Sequence, residues 1–109
     1  MAVEINKYTY RVMWSEEDEE FVGLCAEFPS LSWLDESQEE ALKGITSVVG
    51  QCIEDLLSEG KDIPLALSSR EYSGKFMVRI PPKVHRDLAI AAAESNISLN
   101  RLASAKLAH

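Results

Sequence analysis

Three side chains near the end of the chain have the types and spacing that nucleic-acid recognition requires. Lys75, Met77 and Arg79 occupy alternate positions in the segment KFMVRI, so a strand would place all three on one face. Arginine can pair with guanine O6 and N7, lysine can contact guanine or phosphate, and methionine can pack against the thymine methyl group. The intervening positions are all apolar: Phe76, Val78 and Ile80. The pattern therefore predicts a strand with a base-reading face and an apolar back.

The charge of the chain is unevenly distributed around this segment. The whole sequence of 109 residues has a net charge of −7. Residues 1–69 hold 4 basic and 15 acidic side chains, whereas residues 70–109 hold 7 basic and 3 acidic ones. Such asymmetry indicates two functional parts, of which the basic one is suited to nucleic acid.

The remaining chemistry-bearing residues do not favour catalysis. A metal-dependent nuclease needs several carboxylates that converge on two metal ions. Here the acids cluster in the loop SEEDEE, residues 15–20, and at the start of a predicted helix, while only Glu27 lies in a predicted strand. The cysteines and histidines match no zinc spacing: Cys25, Cys52, His85 and His109. We therefore expect no enzymatic activity, metal or cofactor.

The first part of the chain is predicted to be a β-meander followed by a helix. Alternating aromatic and β-branched residues favour strands at residues 8–14 and 21–28, with a third at residues 31–34. The run SQEE, residues 37–40, is typical of a capping box, and Gly60 suits the position after the helix. Apolar residues spaced three and four apart indicate a helix face that covers the sheet, with these core candidates: Val48, Val49 and Ile53.

The last part of the chain has a different rhythm. Residues 64–73 are predicted to be a linker, with a short strand considered at residues 65–67. After the strand at residues 75–80, Pro81 and Pro82 end it and open a helix to about Ser95, with Asn96 in a left-handed conformation. Ser98 would then cap a second helix, residues 99–108. The predicted domains are residues 1–63 and 74–109, and the fold class is α+β.

One strand and two short helices cannot bury enough surface alone, so the C-terminal part is predicted to dimerise. Two copies could pair their strands antiparallel into a two-stranded ribbon that fits the DNA major groove. Backbone N–H groups at the start of the second helix would hold phosphates. The predicted phosphate contacts are Ser98, Leu99, Asn100 and Arg101. The alternative is that Lys75 and Arg79 only keep an edge strand soluble.

The order strand–Pro–helix–Ser–helix, in KFMVRIPPKVHRDLAIAAAESNISLNRLASAKLA, closely resembles the ribbon-helix-helix DNA-binding domain. With the meander, DESQEEAL, SEGKDIP and REYSGKFMVRIPPKVH, almost the whole chain resembles a HicB-type antitoxin. That resemblance implies a partial RNase H-like domain followed by the ribbon-helix-helix domain. One departure is FPSLSWLDES, where many members of the family have a glycine-rich stretch.

The resemblance further implies that the first domain neutralises a HicA-type toxin, an mRNA-cutting ribonuclease, and that the ribbon represses the operon. The toxin contacts expected on this basis are Glu16, Glu17, Asp18, Glu27, Trp33 and Asp35. We expect a cytoplasmic homodimer with no membrane association, and the sequence leaves open whether dimers pair into tetramers. The alternative is a stand-alone ribbon-helix-helix regulator with an N-terminal sensing domain.

Overall fold

A computed structural model describes residues 3–109, so the first two residues of the predicted first domain lie outside the described part. The chain divides into two compact units, one that ends at Tyr72 and one that spans Ser73–His109. Over the described residues the fold is α+β, with one three-stranded antiparallel sheet and three α-helices. Within residues 3–109, no helix combines the length and the apolar character needed to cross a bilayer.

The sheet of the N-terminal unit is the predicted meander. Its strands β1 (Tyr10–Ser15), β2 (Glu20–Cys25) and β3 (Ser32–Asp35) lie in that order, and each neighbouring pair is antiparallel. The register pairs Val12 with Gly23 and Gly23 with Trp33. Strand β2 ends three residues earlier than predicted, so Glu27 lies in the turn that follows rather than in a strand.

Helix α1 (Gln38–Ser58) begins and ends with the predicted caps. The Ser37 hydroxyl accepts the N–H of Glu40 at 3.4 Å. The reciprocal half of the capping box differs from the prediction, because the N–H of Ser37 donates to the Asp35 carboxylate. At the other end Gly60 has a φ of +69°, and the N–H groups of Gly60 and the next residue bond to carbonyls in the last turn.

Helix α1 packs on one face of the sheet and forms the core with it. A Cβ atom on Gly23 would lie 2.6 Å from the Ala41 carbonyl oxygen, so β2 and α1 touch through backbone at this point. The prediction of Val49 and Ile53 as core residues is confirmed, whereas Val48 is only half-buried. The buried core cluster consists of Tyr8, Cys25, Phe28, Ile45, Val49, Ile53 and Ala66.

The segment that follows α1 is held against the N-terminal unit. The Tyr8 hydroxyl donates to the Pro64 carbonyl at 2.7 Å, and the Ser68 hydroxyl donates to the Lys7 carbonyl at 2.7 Å. The short strand considered at residues 65–67 is absent from the described fold, which has a 3-10 helix at Leu67–Ser69 instead. Most of the predicted linker, residues 64–73, thus packs within this unit.

The C-terminal unit contains two helices, α2 (Pro82–Glu94) and α3 (Leu99–Leu107), close to their predicted bounds. Pro82 occupies the first turn of α2, as predicted. Asn96 has a φ of +58°, and the N–H of Ile97 bonds to the Ala92 carbonyl, which confirms the left-handed helix end. Ala92 is the buried side chain of this unit, and every other described residue in it is half-buried or exposed.

Candidate functional sites

The segment of residues 75–80 has no regular secondary structure in the single chain, so the predicted strand is not formed there. All six residues are exposed. Phe76 and Met77 are 75% and 84% exposed, although the alternation assigns them to opposite faces. Lys75 and Arg79 are equally free to reach a ligand. The single chain therefore leaves both faces of this segment uncovered.

Two ordered features bracket this segment. On its N-terminal side, Gly74 has a φ of +81°, and the Ser73 hydroxyl accepts the N–H of Lys75 at 3.1 Å. On its C-terminal side, the Pro81 carbonyl accepts the N–H of His85 at 3.1 Å and so begins helix α2. Glycine tolerates this positive φ without the strain that a Cβ atom would cause. The exposed segment thus starts at a turn and ends at a helix.

The helices of the C-terminal unit also leave apolar side chains in solvent. Val84, Ile90 and Leu107 are 43%, 46% and 67% exposed. Leu88 is half-buried. Together with the apolar residues of the 75–80 segment, these side chains give the C-terminal unit several large apolar residues that are exposed to solvent.

The predicted phosphate contacts lie at the start of helix α3, where one of their backbone N–H groups already has a hydrogen-bond acceptor within the chain. The Ser98 hydroxyl accepts the N–H of Arg101 at 3.0 Å, so that N–H group is used within the helix cap. The N–H groups of Leu99 and Asn100 belong to the first turn, where a helix has no internal acceptor for them. The Arg101 side chain is exposed.

Glu27, a predicted toxin contact, is tied into the N-terminal unit. Its carboxylate accepts the N–H of Thr9 at 2.9 Å, the Thr9 hydroxyl at 3.0 Å and the N–H of Leu67 at 2.9 Å. Burial opposes ionisation, but the hydrogen bonds from the backbone of Leu67 and Thr9 outweigh it and lower the pKa of Glu27 to about 2. This geometry makes Glu27 a clamp between the turn after β2 and the segment after α1.

Trp33 and Asp35, two other predicted toxin contacts, lie at the end of β3 beside α1. A Cβ atom on Gly44 would overlap the Trp33 ring, so the absence of a side chain at Gly44 makes room for the indole. The Trp33 Nε1–H donates to Asp35 at 3.4 Å, and 42% of Trp33 remains exposed. A glycine inside a helix lowers stability by about 0.5–1 kcal/mol relative to alanine. Its presence within a predicted helix is therefore a sequence signal for such close packing.

The remaining predicted toxin contacts lie in the loop of residues 15–20. Glu16, Glu17 and Asp18 are exposed, and the Ser15 hydroxyl donates to the Asp18 carboxylate at 2.9 Å. In the described part of the chain, no three Asp, Glu, His or Cys side chains come together as a metal site would require. This loop is a solvated acidic surface.

Comparison with known proteins bears on the C-terminal features. Residues 59–107 match the model of the HicB family. Neither the comparison with curated proteins nor that with solved structures finds a match. The HicB family is an antitoxin family whose members are generally not enzymes, and each antitoxin has a toxin partner. The match therefore supports a toxin–antitoxin role at the level of the family.

The HicB match covers slightly less than half of the chain. It contains the 75–80 segment, both helices of the C-terminal unit and all seven residues predicted to contact DNA. All six predicted toxin contacts lie before residue 59 and thus outside the HicB match. The family match therefore bears on the C-terminal part of the chain and not on the predicted toxin contacts.

Sequence reasoning missed one surface of the N-terminal unit. Met13, Val22 and Leu34 are paired across the three strands and lie on the sheet face opposite α1. We call this the open sheet face, together with the neighbouring row of Arg11, Leu24 and Ser32. The alternation of β1 could have revealed it, since Met13 falls between two residues of the covered face.

Proposed function

We propose that this chain is the antitoxin of a type II toxin–antitoxin system. Its N-terminal unit, a partial RNase H-like domain, binds and neutralises a HicA-type mRNA-cutting toxin. Its C-terminal unit is a ribbon-helix-helix domain that dimerises, binds operator DNA and represses the operon of the pair. The observation that carries the proposal is the exposed, alternating basic and apolar segment of residues 75–80, because it lies within the HicB match.

The exposure of the C-terminal unit supports the dimer. Phe76, Val78 and Ile80 are 75%, 57% and 40% exposed, and a soluble monomer has little reason to present three such residues in one short segment. Antiparallel pairing with a second copy would cover them and satisfy the unpaired backbone groups of both strands. The outer face would then present Lys75, Met77 and Arg79 to the major groove.

The charge of the N-terminal unit supports the toxin partner. Residues 1–69 carry a net charge of −11, and the loop of residues 15–20 is exposed. A ribonuclease must attract RNA, so its surface is basic, and an acidic protein complements it in both the rate and the orientation of association. The same charge repels DNA, which leaves the C-terminal unit as the part of the chain that engages the operator.

One observation favours a second candidate function. The N-terminal unit has a groove of about 490 Å³ that is lined mainly by apolar residues. Its lining includes Val3, Tyr8, Leu57, Ile63 and Leu65. A groove of this size could take a small ligand, as expected for a stand-alone ribbon-helix-helix regulator with an N-terminal sensing domain.

The test uses the full chain and the protein encoded beside it. The neighbour should be a small basic protein with a catalytic histidine, and it should co-purify with this chain. Co-expression should restore growth that the neighbour alone arrests, and the purified chain should shift DNA from upstream of its own gene in a gel. Affinity for that DNA should fall steeply with salt, because phosphate contacts release counterions.

The outcomes separate the two candidates. Neutralisation together with a salt-dependent gel shift supports the antitoxin. A gel shift without any toxic neighbour, and with an affinity that a small molecule changes, supports the sensing regulator. If growth arrest persists and the mobility of the DNA in the gel is unchanged, both candidate functions are contradicted.

A further inference from the structure

The sheet of the N-terminal unit has a face that α1 does not cover. Helix α1 touches the opposite face, where Gly23 meets the Ala41 backbone and Trp33 lies on Gly44. Successive residues of a strand point to opposite faces, so the neighbours of Gly23 and Trp33 point away from the helix. These neighbours belong to the open sheet face.

Three apolar side chains form a continuous row across this face. Met13 pairs with Val22 and Val22 pairs with Leu34, and directly opposite residues of antiparallel strands lie on the same face in contact distance. Met13 and Leu34 are 45% and 43% exposed, and Val22 is half-buried between them. Residues along the strands of an antiparallel sheet normally alternate, so that the face toward solvent is polar. A complete apolar row on that face therefore indicates a partner.

The two sides of the row, followed along the strands, have different surroundings. On one side the Ser15–Glu20 pair continues the face into the acidic loop of residues 15–20. On the other side a depression of about 360 Å³ lies beside Leu24. It is lined by Thr9, Arg11, Leu24, Cys25, Ala26 and Pro29. An apolar side chain of a partner could enter this depression while basic side chains of the partner meet the loop.

We propose that the open sheet face is the surface on which the N-terminal unit docks its protein partner, and that the partner presents an apolar patch bordered by basic side chains. Charge complementarity with the acidic loop identifies that partner as basic. A second copy of this chain fits less well, because two units that each carry a net charge of −11 repel one another. This inference rests on the proposed antitoxin function and names the docking surface for the toxin.

The test is a double substitution, Met13→Gln with Leu34→Gln, in the full chain. The probe is the purified toxin from the neighbouring gene, with its catalytic histidine replaced so that it can be expressed alone. The control is Leu42→Gln, since Leu42 lies on α1 of the same unit, is 44% exposed and belongs to neither the open sheet face nor the groove. Calorimetry should give a dissociation constant for the toxin that is about tenfold to a hundredfold larger for the Met13/Leu34 variant than for the wild type. The constant of the control should be unchanged.

Each other result decides against the proposal in a distinguishable way. Equal affinity of the wild type and the Met13/Leu34 variant overturns the docking surface but leaves the antitoxin function intact. Equal weakening in the Met13/Leu34 variant and the Leu42→Gln control also overturns it, because the effect would then not be specific to the face. A wild type that does not bind the toxin overturns the antitoxin function and this inference with it. A fall in molar mass of the Met13/Leu34 variant without toxin assigns the face to a second copy instead. Urea unfolding curves of both variants should match that of the wild type, which shows that a change in affinity does not come from a folding defect.

Discussion

The two units of the chain differ in how much of their own apolar surface they bury. The N-terminal unit surrounds Ile45 and Val49 completely, both of which are 0% exposed. The C-terminal unit buries only Ala92, while Phe76 is 75% exposed. Burial of apolar surface is the main stabilising contribution to folding. The first unit therefore contains its own core, whereas the second has no comparable core within the single chain.

The largest expected effect comes from the residue that association should bury. Phe76→Ala should destabilise the dimer by about 3–5 kcal/mol per chain, as for an aromatic residue removed from a core. In the single chain Phe76 is too exposed to cause such a loss. Sedimentation equilibrium over a range of protein concentrations measures the change. Met77→Ala is the matched control, since the alternation places Met77 on the outer face, and equal effects of the two substitutions would contradict that placement.

A core substitution in the N-terminal unit should behave differently. Ile45→Ala should reduce the free energy of unfolding by about 2–5 kcal/mol, independently of protein concentration. Tryptophan fluorescence during urea unfolding reports this unit alone, because both tryptophans, Trp14 and Trp33, lie in it. Leu42→Ala on the same helix is the control, and with 44% exposure it should cost less than about 1 kcal/mol. A concentration-dependent midpoint would show that this unit also needs a partner.

The third effect concerns function and should leave the fold of both units unchanged. Arg79→Ala should weaken operator binding by about 1–3 kcal/mol for each base contact that is lost, counted in both chains of the dimer. Neutralisation of the toxin should persist, because Arg79 lies outside the N-terminal unit. A gel-shift titration measures the affinity, with Arg70→Ala as an exposed arginine of the other unit. Unchanged affinity for Arg79→Ala would remove this residue from the readout.

The contrast between the units also explains what the sequence could predict. Helix α1 was predictable because its caps and its period are local: Ser37, Gly60 and the spacing of the apolar residues all lie within or next to it. The packing of residues 64–72 was not, since it depends on hydrogen bonds between residues 40 to 61 positions apart. Turn-forming residues in that segment favoured a linker, and long-range contacts outweighed them.

The candidate sites divide in the same way. The alternation of residues 75–80 is visible in the sequence, but a strand needs a partner for its hydrogen bonds, and the single chain supplies none among its described residues. Among the predicted toxin contacts, Glu27 is an acidic residue, and this residue type alone predicts an exposed surface position. Its hydrogen bonds to Thr9 and Leu67 come from the tertiary fold. Residue type alone could not distinguish a docking carboxylate from an internal clamp.

The smallest expected effect tests that clamp. Glu27→Gln should reduce the free energy of unfolding of the N-terminal unit by about 1–2 kcal/mol at pH 7, because glutamine is neutral and has only one acceptor oxygen, whereas the Glu27 carboxylate accepts hydrogen bonds through both of its oxygens. Tryptophan fluorescence in urea measures it. Glu54→Gln, an exposed carboxylate on α1, is the control and should change the free energy by less than about 0.5 kcal/mol.

The pH dependence of this effect has a defined sign. Folding lowers the pKa of Glu27 from 4.5 to about 2, so the stability that its ionised form contributes is complete above about pH 4.5 and is lost as the pH falls toward 2. Glutamine does not titrate, so the difference between the wild type and Glu27→Gln should shrink over that range. A difference that stays constant from pH 7 to pH 2.5 would mean that the charge of Glu27 does not stabilise the clamp. The loss should appear only in the N-terminal unit, because all the donors to Glu27 lie there.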